Sequence, residues 1–66
     1  MNLTINGDTR EFEDGLTISG LVEVLCLNPL KVAVERNLSV VPKSLHGETR
    51  LADGDRIEIV QFVGGG

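Results

Sequence analysis

Apolar and polar residues alternate at both ends of this chain and fall at helical spacing once between them. Asn2-Leu3-Thr4-Ile5-Asn6 alternates, the mark of a half-buried strand. Asn6-Gly7-Asp8 is a turn signal, because Asn and Gly both tolerate positive φ. Residues 9–12 return as the second strand of a hairpin with Phe12 reaching the core, and Glu13-Asp14-Gly15 breaks it. Thr17 is placed to cap a helix, an effect of about 1 kcal/mol over Ala. Ile18, Leu21, Val22 and Leu25 follow as one apolar stripe. Gly20 within the helix costs up to about 1 kcal/mol relative to Ala, so the element depends on tertiary packing. Asn28-Pro29 is expected to end it.

The second half reads as strands. Residues 31–35 (KVAVE) form a short β-branched run, Arg36-Asn37 a tight turn, and residues 38–41 the return strand, stopped by Pro42. Residues 44–48 are polar and irregular, and residues 51–55 form a loop around Asp53-Gly54. Residues 56–63 (RIEIVQFV) are the longest run of β-forming residues. One early helix in an otherwise β chain predicts an α+β fold: a helix packed on a mixed sheet of four to five strands. Placing the first and last strands side by side, parallel and central, with the hairpins flanking them, gives the β-grasp or ubiquitin-like arrangement. Residues 1–63 are the expected domain and residues 64–66 a flexible glycine tail.

Sixty-six residues leave a thin core. The single cysteine, Cys26, closes no internal disulfide, and with the single histidine, His46, it supplies no four-ligand zinc site. The net charge of −4 argues against nucleic acid and anionic membranes and suits a basic patch on a protein partner. No stretch is long and apolar enough to span a bilayer, and none reads as a signal peptide. A lone thiol fits a reducing compartment, so a cytoplasmic location is expected.

The terminal Gly64-Gly65-Gly66 is the most unusual stretch. Taken alone, it reads as a frayed end. Directly after a strong strand, it is instead a thin tail reaching roughly 10 Å beyond the fold, with no Cβ to obstruct a narrow channel. Its useful group is the Gly66 carboxylate, which must be activated, as by adenylation, before a nucleophile attacks it. No phosphate-binding loop is present in the sequence, so that activation belongs to another enzyme. If Ile57 and Ile59 face the helix, alternation sends Val60 and Phe62 to the open face of the sheet. With the small Ala33 beside them they form a flat partner-binding patch, whereas a bulge at the strand end would turn Phe62 inward. Cys26 reads as a small hydrophobe filling a gap, His46 as a solvated loop residue, and Asp53 and Asp55 as turn chemistry.

Residues 32–44 (VAVERNLSVVPKS) and 51–66 (LADGDRIEIVQFVGGG) resemble the central hairpin and closing segment of the ThiS sulfur carriers of thiamin biosynthesis. The front half, MNLTING and the helix, fits more loosely. The resemblance implies a β-grasp carrier that is not itself an enzyme and is monomeric when free. It implies that a ThiF-like enzyme uses ATP to adenylate Gly66, and that this chain binds no cofactor of its own. Sulfur from a donor such as a cysteine desulfurase then yields a thiocarboxylate, which a ThiG-like thiazole synthase consumes. Gly65 would be the obligatory slim neighbour; Gly64 stands where the family varies. The small subunit of molybdopterin synthase shares the fold and tail chemistry, but often carries Pro-Pro where Gln61 and Phe62 stand here. Carriers for other sulfur-containing products, a ubiquitin-like protein modifier and an interaction module with an inert tail are the other readings.

Overall fold

The computed structural model describes residues 1–63. Its elements are β1 (Asn2–Ile5), β2 (Asp8–Glu11), α1 (Ile18–Val24), β3 (Val32–Arg36), β4 (Ser39–Val41) and β5 (Arg56–Gln61). The sheet order is β2-β1-β5-β3-β4, with β1 and β5 parallel and the other pairs antiparallel. This is the expected β-grasp arrangement, with the last strand at the centre.

The core follows from alternation meeting a helical stripe. Leu3 and Ile5 of β1, Val32 and Val34 of β3, and Ile57 and Ile59 of β5 point to one face of the sheet. Ile18, Leu21 and Val22 of α1 close over them, joined by Leu51. Phe12 is half-buried against this cluster, as expected.

Thr17 caps the helix: its Oγ1 accepts from the Gly20 amide at 3.1 Å. The neighbouring amides of Ile18 and Ser19 donate to the carbonyls of Thr49 and His46, so the loop before β5 satisfies the other free donors of the first turn. Gly20 is where Leu16 crosses the helix; a Cβ there would stand 3.1 Å from Leu16 Cδ2.

Several expectations are corrected. The helix stops before Asn28-Pro29. Cys26 adopts φ +60°, its amide bonds to Glu23 O, and the Leu27 amide bonds to Val22 O. These are the paired bonds of a Schellman motif, with cysteine in the position that glycine usually holds. Leu25 is therefore the C-cap and only half-buried, while Asn28 caps a separate 3-10 turn at Pro29–Lys31. Cys26 is exposed and fills no gap. The turn between β3 and β4 is Asn37-Leu38, with φ +50° and +73°, rather than Arg36-Asn37. His46 is buried, its Nε2 2.9 Å from Val41 O, because the 3-10 turn at Lys43–Leu45 folds it beneath the chain.

Candidate docking face and the root of the glycine tail

Three sets of contacts hold β5 in place as far as Phe62. At its start lies Asp55, 7% exposed. Its carboxylate accepts from the Ala52 amide at 2.8 Å, from Arg36 Nε at 2.8 Å and from Asn37 Nδ2 at 3.1 Å. Desolvation pushes this carboxyl up, but the bonds from Ala52, Asn37 and Arg36 outweigh it and hold the pKa below the ordinary value. Asn37 completes the knot, its Oδ1 accepting from the Arg56 amide and its own amide donating to Arg56 O. Asp55 is thus more than a turn residue: it joins the β3–β4 turn to the start of β5.

At mid-strand, Asn6 reaches across from the end of β1. Its Oδ1 accepts from the Ile59 amide at 2.8 Å and its Nδ2 donates to Ile59 O at 3.1 Å. At the far end, the Phe62 amide donates to Lys31 O at 2.7 Å, extending the β3–β5 pairing one residue past Gln61. The chain is therefore fastened up to the residue before Val63, which is 99% exposed.

Alternation along β5 divides its side chains as expected. Ile57 and Ile59 are buried, whereas Val60 and Phe62 are 57% and 54% exposed. Strand β5 contains no bulge against β3: the register runs unbroken from Val32–Gln61 to Arg36–Ile57, with Ala33 opposite Val60. The predicted apolar patch of Ala33, Val60 and Phe62 is therefore continuous on the open face. Val40 of β4, 70% exposed, extends it; the sequence reading did not select this residue, although its place two residues from Leu38 in a short edge strand signals it. Glu35 and Glu58, directly opposed, lie in the same field.

The expected tail-threading glycines Gly64 and Gly65 and the expected adenylation site Gly66 lie outside the described residues. Among the described residues no group of three or more His, Cys, Asp or Glu side chains is placed to hold a metal ion, and no helix is long and apolar enough to cross a membrane. Asn6, Asn37 and Asp55 were not foreseen as parts of this arrangement, since each acts on a residue at least 18 positions away.

A sequence model of the ThiS family matches residues 3–66. A protein of Paramagnetospirillum magneticum named thiazole synthase is 48% identical over all 66 residues, which make up 20% of that protein. The chain thus spans about a fifth of the length of this relative and of a thiazole synthase from Magnetococcus marinus that is 44% identical. The sulfur carrier protein ThiS of Bacillus subtilis is 43% identical over 65 residues, covering 97% of this chain and 98% of that one. The crystal structure of a thiamine biosynthesis protein (ThiS) from Geobacter metallireducens superposes with a TM-score of 0.86 at 33% identity, each chain covered in full. With a family match over nearly its whole length and the same fold in a solved relative, this chain belongs to the ThiS family.

Proposed function

We propose that this protein is a sulfur carrier of thiamin biosynthesis, the handle on which a sulfur atom travels to the forming thiazole. The Gly66 carboxylate attacks the α-phosphorus of ATP in a ThiF-like enzyme and releases pyrophosphate. The terminal sulfur of a persulfide, supplied by a donor such as a cysteine desulfurase, attacks the acyl carbon and displaces AMP; a thiol then cleaves the acyl disulfide, keeping the donor's sulfur in a new disulfide and leaving the thiocarboxylate on Gly66. A thiazole synthase then takes that sulfur. The carrier contributes no catalytic group. It contributes a rigid body, a face to be recognised by Ala33, Val60 and Phe62, and a tail whose glycines pass where a Cβ would not.

The observation that carries this reading is the fastening of β5 through Phe62, two positions before the first glycine. A body that holds the root of its tail firmly presents the reacting end at a defined reach from the docking face, which is what repeated delivery between enzymes requires. The likeness to the Bacillus subtilis carrier adds to it, as does the sharing of this segment with longer proteins named thiazole synthase.

Intact mass spectrometry of the protein from its host, with fragmentation of the glycine peptide, tests this. The expected result is a species in which one oxygen of Gly66 is replaced by sulfur, appearing after incubation with ATP, activating enzyme and sulfur donor. A tail that remains unmodified under those conditions overturns the proposal. Gly65→Val is expected to block adenylation while leaving the melting point unchanged.

A further inference from the structure

On the open face of the sheet, two carboxylates face each other, and among the described residues no cationic side chain is paired with either. Glu35 of β3 stands directly opposite Glu58 of β5. Both are half-buried. Neither carboxylate forms a hydrogen bond or ion pair with any described residue. Arg56 lies on the same strand two positions earlier, yet it forms no ion pair with either. Like charges at directly opposed strand positions repel, so this arrangement weakens the sheet it sits in.

The surroundings sharpen the point. Val40 of β4 is opposite Glu35, and the Ala33–Val60 pair forms the next row toward the tail. The carboxylates thus border the apolar patch on one side and Arg56 on the other. When a partner covers that patch and excludes water, their repulsion grows and so does their attraction for a cation. A docking face carrying this opposed pair is complementary to a basic side chain. A second copy of this chain meeting the same face would bring more carboxylates, and nucleic acid and anionic lipid would be repelled.

We propose that Glu35 and Glu58 form a polar edge of the docking face and together receive one basic side chain of thiazole synthase. Directly opposed strand residues hold their Cβ atoms about 5 Å apart, which lets the planar donor fork of an arginine reach both carboxylates. Thiazole synthase is the partner to which the observations point, because segments similar to this whole chain form part of longer proteins of that name. The inference rests on the sulfur-carrier reading and adds its recognition chemistry: Ala33, Val40, Val60 and Phe62 supply contact area, and the paired glutamates supply selectivity.

Calorimetric titration into thiazole synthase from the same organism tests it, using the wild type, Glu35→Gln, Glu58→Gln and the double variant at low and high salt. Losing a charge-assisted bond at a covered site is expected to weaken binding roughly ten- to hundred-fold in the double variant. Its salt dependence should flatten, and the single variants should fall between. Melting should stay level or rise, because the repulsion is gone. Unchanged affinity in the double variant, a lowered melting point that accounts for the lost binding, or a wild type that does not bind thiazole synthase overturns the inference. The thiocarboxylate on Gly66, measured on the same preparations, judges the carrier reading separately: if it forms in every variant while affinity is unchanged, only the role of the glutamates falls.

Discussion

The side chain of Asn6 pairs with the backbone of Ile59 as a strand residue would, accepting from its amide at 2.8 Å and donating to its carbonyl at 3.1 Å. Strand β1 ends at Ile5, so this one side chain continues the pairing after the backbone has turned away. Asn6 also sits at φ +48°, the first of the two positive-φ residues of the Asn6-Gly7 turn. Asparagine tolerates that conformation better than other residues with a Cβ. Asn6→Ala should therefore destabilise the fold by about 2–4 kcal/mol, through lost hydrogen bonds and backbone strain together. Asn6→Gly removes only the bonds and should cost about 1–2 kcal/mol. Chemical denaturation of the three proteins checks the order. Equal losses would show that strain plays no part.

Asp55 gives the fold an acid-sensitive point. Its folded pKa is depressed, so it contributes stability above the range near pH 4 where an unfolded aspartate titrates. That contribution is lost as pH falls through the lower folded value. Asp55→Asn should destabilise by about 1–3 kcal/mol at neutral pH. It should also flatten the decline of stability below about pH 4 relative to wild type. Unfolding free energies measured from pH 2 to 7 give both quantities. Parallel curves for the two proteins would remove Asp55 from the account.

Cys26 occupies a glycine position. Cys26→Gly should raise stability by about 1 kcal/mol, since it relieves the left-handed strain at φ +60° and the exposed thiol makes little packing contact. The same variant should form the Gly66 thiocarboxylate at the wild-type rate, because the proposed chemistry uses no thiol of this chain. A folded Cys26→Gly protein unable to accept sulfur would place the cysteine on the transfer route.

Phe62 is half-exposed on the proposed docking face while its amide is held by Lys31. Phe62→Asp leaves that backbone bond in place and should change stability by less than about 1 kcal/mol. Affinity for the activating enzyme should fall roughly tenfold or more. A large drop in melting temperature with unchanged affinity would instead make Phe62 a packing residue.

What could be read from the sequence was what depends on neighbours in the chain. The alternation in β5, the Asn6-Gly7 turn and the Thr17 cap are local patterns, and the β-grasp order follows once they are placed. The end of α1 was misplaced because the C-terminal signal is usually a glycine, and here a cysteine holds that conformation. His46 was read as solvated because nothing nearby in sequence shows that Val41 O awaits it. Asp55 carries the ordinary signature of an Asp-Gly-Asp loop, while its partners Arg36 and Asn37 come from the β3–β4 hairpin. The exposed apolar patch was legible from strand parity, but the opposition of Glu35 and Glu58 needed the register between β3 and β5.

The central position of β5 also determines how the molecule bears load. A partner that grips the glycines pulls along the axis of a strand bonded to β1 on one side and β3 on the other. Tension in that direction stretches many hydrogen bonds at once in shear, whereas an edge strand such as β4 would peel away one bond at a time. On the proposed function, a partner that draws on the chain end can therefore do so without beginning to unravel the body.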